Sequence, residues 1–111
     1  MKNKGIYCLE NLWTKSVKDK LSVQPILDLL DKADVCEHVY HNCATREEVD
    51  FMLERWKVKS IQDKFPILYF AFHGVKNGIC LNTKNNIYTL DDLADKLEDS
   101  CVGKVLFFCL V

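Results

Sequence analysis

The run Pro66-Ile67-Leu68-Tyr69-Phe70-Ala71-Phe72 constrains the fold most, because it is apolar at seven consecutive positions. A strand with one face in water alternates apolar and polar residues; this one does not, so both of its faces are covered. That is the signature of a central strand in a parallel sheet with helices on either side. His73-Gly74 closes the run. Parallel neighbours must be joined by long crossovers, usually helical, and the chain supplies them. Gly5 to Glu10 has strand composition. From Val23 to Lys32, apolar residues at Val23, Ile26, Leu27, Leu29 and Leu30 predict a helix, with Ser22 as cap and Pro25 tolerated in its first turn. Val35 to Tyr40 reads as a second strand. Thr45-Arg46-Glu47-Glu48 is a capping-box pattern, and Val49, Met52, Leu53 and Trp56 recur at i, i+3, i+4 and i+7, which predicts a second helix.

After the central run, Gly78-Ile79-Cys80-Leu81 and Asn86-Ile87-Tyr88, separated by Asn82-Thr83-Lys84-Asn85, predict a small hairpin. Thr89 caps a helix carrying Leu90, Leu93, Ala94 and Leu97, with Asp91 and Asp92 placed for the helix dipole. Beyond Gly103, Val105 to Val111 is a second uninterrupted apolar run of seven residues and supplies the fourth strand. The expected fold class is α/β: a single domain over residues 1–111, a three-layer sandwich with a mainly parallel four-stranded sheet plus a small hairpin.

Composition narrows the function classes. The chain has 111 residues, 49% hydrophobic and 28% charged, values of a globular domain rather than a disordered or fibrous one. Its net charge of −1 gives no electrostatic footprint for nucleic acid. No stretch reaches the roughly 20 apolar residues that span a bilayer, so no membrane-embedded role is expected. Six cysteines could form a disulfide framework. However, the short apolar run near the N-terminus is broken by Glu10, too early for a signal-peptide core, and several cysteines sit in strand-like runs where a thiol behaves as a small hydrophobe. The expectation is reduced thiols and a cytoplasmic location. Residues 1 to 20 carry five lysines against two acids, and residues 85 to 103 carry five acids against one lysine; these read as solvated faces of opposite sign.

In an open α/β sheet, functional residues collect beyond the carboxyl ends of the strands. His73 and Gly74 follow the third strand, and Cys109 lies near the end of the fourth. A Cys and a His on neighbouring strand ends make a nucleophile and base pair, the imidazole withdrawing the thiol proton. His41, near the carboxyl edge of the second strand, is a further contributor to the cleft, and Gly74 allows a tight turn or a close backbone approach. Cys36, His38, His41 and Cys43 are metal-ligand types, but on one strand they would need a sharp bend to converge, and a strand running into a polar loop is the preferred reading. No metal is expected. The four glycines form no phosphate loop, so no nucleotide or other cofactor is expected.

These residues carry a resemblance. Leu68-Tyr69-Phe70-Ala71-Phe72-His73-Gly74, then Gly78-Ile79-Cys80-Leu81, then Tyr88-Thr89-Leu90-Asp91-Asp92-Leu93, then Lys104-Val105-Leu106-Phe107-Phe108-Cys109 resembles the caspase-like cysteine peptidases, especially the CHAT type. The resemblance covers residues 66–111. The segments Ile6 to Trp13 and His41 to Thr45 are similar to small bacterial and phage proteins of this kind. It implies a caspase-like, flavodoxin-like strand order 2-1-3-4, corresponding to the first part of a larger fold. It also implies a peptide or protein substrate, His73 as general base and Cys109 as nucleophile. One departure matters. The family's cysteine follows small residues, in a register that here falls on Leu110 or Val111, whereas Phe107-Phe108 precede Cys109. Either the chain is shortened and lacks its nucleophile, or Cys109 serves in a shifted register; in both cases weak or no hydrolase activity is expected. The rival reading is a non-catalytic module. In that strand order the last strand is an edge, and an apolar edge favours pairing with another chain, as a homodimer or with a protein partner.

Overall fold

The structure, a computed structural model, describes residues 3–11, 22–81, 86–98 and 105–110. Its elements in order are β1 (Asn3–Glu10), α1 (Gln24–Lys32), β2 (Cys36–Asn42), α2 (Arg46–Trp56), α3 (Lys59–Lys64), β3 (Ile67–Val75), β4 (Gly78–Cys80), β5 (Ile87–Thr89), α4 (Leu90–Leu97) and β6 (Val105–Leu110). The fold is α/β. Among the described residues no helix is long and apolar enough to cross a membrane.

The six strands form one mixed sheet. β1 lies between β2 and β3, parallel to both, and β3 also pairs β6 in parallel. β4 and β5 add an antiparallel hairpin to the far end of β3. The hairpin is thus continuous with the sheet. His73 and Gly74 were expected to end the central strand; instead β3 runs on to Val75, because both residues pair with β4, His73 opposite Cys80 and Gly74 opposite Ile79. Asn77, at φ 65°, takes the left-handed backbone in the turn, a conformation asparagine tolerates better than most residues.

Register divides the sheet into two faces. Tyr7 and Leu9 of β1 share one with Leu68 and Phe70 of β3 and pack into a single core with Val49, Leu53 and Trp56 of α2 and Leu93 of α4. Ile79, Leu81 and Tyr88 of the hairpin extend this core. The other face carries Cys8, Glu10, Tyr69 and Ala71, and α1 covers its β2 end, where Asp28 of α1 meets His38 at 3.3 Å. Helices therefore flank the sheet on both sides.

The local signals explain most element ends. Thr45 accepts the Glu48 amide at 3.1 Å and Thr89 accepts the Asp92 amide at 3.1 Å, each capping its helix. Ser22 was expected to cap α1, but Val23 occupies the N-cap without a side-chain bond. The Ser22 hydroxyl instead accepts from the Gln24 amide at 3.0 Å while donating to Glu10 at 2.6 Å. Helix α3 went unpredicted: six residues with Ile61 as their one large apolar side chain give no periodicity to read. It seats Phe65 against β1. A Cβ at Gly5 would lie 2.5 Å from the Phe65 ring, so this approach requires glycine.

Candidate functional site

From β1 the chain crosses to β2 on one side and later returns to β3 on the other. The carboxyl ends of β1 and β3 therefore meet at the switch point of the sheet, where clefts form in open α/β folds. Glu10 and Asn11 end β1 there, both buried at 3% and 6% exposure. The Asn11 amide donates to the Ala71 carbonyl at 3.1 Å, and its side-chain Nδ2 donates to the Cys43 carbonyl at 2.9 Å. Together they stitch β1 to β3 and to the turn after β2.

The Glu10 carboxylate is the polar centre of this end. Ser22 Oγ donates to one oxygen at 2.6 Å, joined there by the Tyr40 hydroxyl, and the Val23 amide donates to the other at 3.0 Å. A carboxylate at the start of α1 suits the helix dipole, and three donors compensate its burial. Burial, and then the bond to Glu10, pushes the Tyr40 phenol up to about 12. Neither Glu10 nor Asn11 was singled out from the sequence. Their signal was a charged and an amide residue abruptly ending an apolar strand, at the position the switch-point rule marks.

The predicted site residues divide between the faces. Cys109 pairs with Ala71 across β3 and β6, and Ala71 with Glu10 and Glu10 with Asn42, so one level of the sheet crosses Asn42, Glu10, Ala71 and Cys109. His73, half-buried, is the next residue of β3 on that face. With a rise of ~3.3 Å per residue and strands ~4.8 Å apart, its Cα lies about 8 Å from that of Cys109. His41 goes elsewhere. It pairs with Leu9 on the core-facing side and points its Nε2 at Glu48 of α2, 3.4 Å away, so it does not join His73. Gly74 lies within β3 rather than in a turn.

The Cys36 to Cys43 constellation does not converge either. His38 faces α1 through Asp28 and His41 faces α2 through Glu48, so the two imidazoles look away from each other. Cys43 is fully buried, and burial pushes its thiol up to about 12, which suits a core residue and not a thiolate ligand or nucleophile. Cys8, Cys36 and Cys80 are likewise buried and form no disulfide.

Compared with known proteins, residues 3–111 match a family of unknown function (DUF6642). No curated protein matches the chain.

Proposed function

The chain belongs to DUF6642, and for it we propose a cysteine peptidase-related domain of caspase-like, CHAT type, with the parallel strands in the order β2-β1-β3-β6, His73 as base and Cys109 as nucleophile. The observation that carries this reading is the β3–β6 register, which sets Cys109 one level short of His73 on adjacent parallel strands. His73 takes the Cys109 proton, the thiolate attacks a peptide carbonyl carbon, and the imidazolium returns the proton to the leaving amine. Water then hydrolyses the thioester. Phe107-Phe108 stand before the nucleophile where the resembled family has small residues, so turnover by this chain is weak or absent and single-turnover labelling is the suitable assay.

A thiol-reactive peptide electrophile is expected to label Cys109, located by peptide mass spectrometry, and His73→Ala to slow that labelling by about a hundredfold, the lower end of what a positioned base contributes. Labelling at an unchanged rate in His73→Ala would remove the dyad.

A second reading is favoured by the edge. Among the described residues β6 pairs with β3 alone, and its sequence Val105 to Leu110 carries no charge to deter further pairing. On this reading the domain is a non-catalytic module that adds a second copy, or a protein partner, to β6. Sedimentation should then find a dimer dissociated by Phe107→Lys; a monomer at high protein concentration argues against self-pairing.

A further inference from the structure

The sheet has an edge at β2 as well as at β6, and the sequence of β2 is complementary to its own reverse. Among the described residues β2 pairs with β1 alone, so one side of its backbone is turned outward. Edges are normally blunted by lysine, proline or short length. β2 carries neither lysine nor proline, runs seven residues, Cys-Glu-His-Val-Tyr-His-Asn, and from His38 to Asn42 follows β1 without a shift of register. Alternation puts Glu37, Val39 and His41 on one face, and their contacts show it to be the core side. Glu37 pairs with Lys64 of α3 at 3.4 Å, Val39 packs against the core, and His41 meets Glu48 of α2 at 3.4 Å. The Glu37 and His41 side chains are nevertheless 42% and 43% exposed.

We propose that β2 is an interface between two copies of this chain, pairing antiparallel with β2 of the second copy about a two-fold axis at Val39. Directly opposed residues of an antiparallel pair share a face, and a register that mixed faces would set core-side residues against the other side. An axis at Val39 keeps the faces together and pairs all seven residues: Glu37 opposes His41 of the second copy, His38 opposes Tyr40, and Cys36 opposes Asn42. An axis at His38 or Tyr40 leaves strand residues without strand partners and separates Glu37 from His41. With the axis at Val39 no like charges meet. A carboxylate acceptor faces an imidazole donor, twice by symmetry. Each such contact also joins two pairs already present in the separate chains, giving a row of Lys64, Glu37, His41 of the second copy and Glu48 of the second copy, in which basic and acidic groups alternate. That complementarity selects a second copy over an unrelated strand; β6, uncharged from Val105 to Leu110, has no such means of choosing. A seam of seven residues falls below the roughly 800 Å² per partner of a standard interface, so the dimer is a transient one and covalent capture is the suitable readout.

The experiment is oxidative crosslinking of the full chain, with the linked peptides identified by mass spectrometry. Val39→Cys is expected to give a disulfide joining position 39 of two copies. Glu37→Cys and His41→Cys, whose like positions lie about 13 Å apart along the seam, are too distant to self-link, whereas a chain carrying both substitutions should link position 37 to position 41. In the Val39→Cys chain, Glu37→Arg is expected to slow crosslinking about fivefold, the effect of two disrupted cross-strand pairs, and the further change His41→Glu to restore the rate by reversing both partners. Phe107→Lys, on the other edge of the sheet, should leave the rate unchanged. Where Val39→Cys does not fold, the paired substitutions at the more exposed positions 37 and 41 make the same test. No disulfide at position 39 and none between 37 and 41 overturns the proposal, and so does self-linking at 37, 39 and 41 alike, which marks random collision. Crosslinking abolished by Phe107→Lys assigns the association to β6 and overturns it as well.

Discussion

Replacing Trp56 by alanine is expected to remove about 3–5 kcal/mol of stability, the cost typical of emptying a large aromatic site in a core. Trp56 is fully buried and sits at the end of α2, where it closes the core between that helix and the sheet. Its Nε1 donates to the Phe65 carbonyl at 2.8 Å, so the indole also fixes the chain between α3 and β3. Alanine leaves that carbonyl unpaired as well as opening a cavity. Against the roughly 5–15 kcal/mol available to a domain of this size, the variant is expected to unfold at clearly lower denaturant than the parent. Trp56→Phe separates the two contributions: it keeps most of the ring volume and loses the hydrogen bond, for an expected cost of about 1–2 kcal/mol. Urea unfolding followed by circular dichroism measures both. An alanine variant within about 1 kcal/mol of the parent would mean that the α2–α3 corner repacks around the cavity, contrary to the usual stiffness of protein interiors.

Trp56 also illustrates what the sequence makes legible. The i, i+3, i+4, i+7 pattern from Val49 to Trp56 identifies α2 and its buried face, because helix periodicity is a local property and Thr45 marks the start within three residues. The same holds for α4, capped by Thr89. The unbroken apolar run before His73 identifies β3 as central, since burial on both faces leaves no alternation. Features set by pairing and packing partners were not legible. The extension of β3 through Gly74 depends on pairing with β4, and α3 depends on packing Phe65 against Gly5, some sixty positions away. His41 shows the limit within the candidate site. Alternation along β2 tells which residues share a face with it, but which helix covers that face is a tertiary fact, and the α2 carboxylate of Glu48 claims it. Glu10 is the other case: its hydrogen-bond partners lie 12, 13 and 30 residues away, and nothing near it in sequence announces them.

Replacing Glu10 by alanine is the second large effect, expected to cost about 3 kcal/mol because bonds to a charged acceptor are each worth roughly 1.5–3 kcal/mol and the three donors do not act independently. Ser22 Oγ, the Val23 amide and the Tyr40 hydroxyl all lose their acceptor, and with them goes the tie between the end of β1, β2 and the start of α1. Glu10→Gln tests the charge at constant shape, and its clearest readout is pH dependence. The Tyr40 phenol is raised to about 12 in the fold, first by burial and then by its bond to Glu10, while a phenol in the unfolded chain titrates near about 10. The unfolded state therefore releases this proton first as pH rises. The stability contributed is complete below about pH 10 and is lost as pH climbs from there through about 12. Glu10→Gln removes the carboxylate and leaves the burial, so the Tyr40 titration should move down toward 10 and the alkaline loss of stability should shrink. Tyrosinate absorbance measures the shift, with Tyr40→Phe identifying the contribution of Tyr40 against Tyr7 and Tyr88, which burial also raises. A Tyr40 titration unmoved by Glu10→Gln would mean that burial alone holds the phenol neutral and that the carboxylate serves the start of α1 without governing β2.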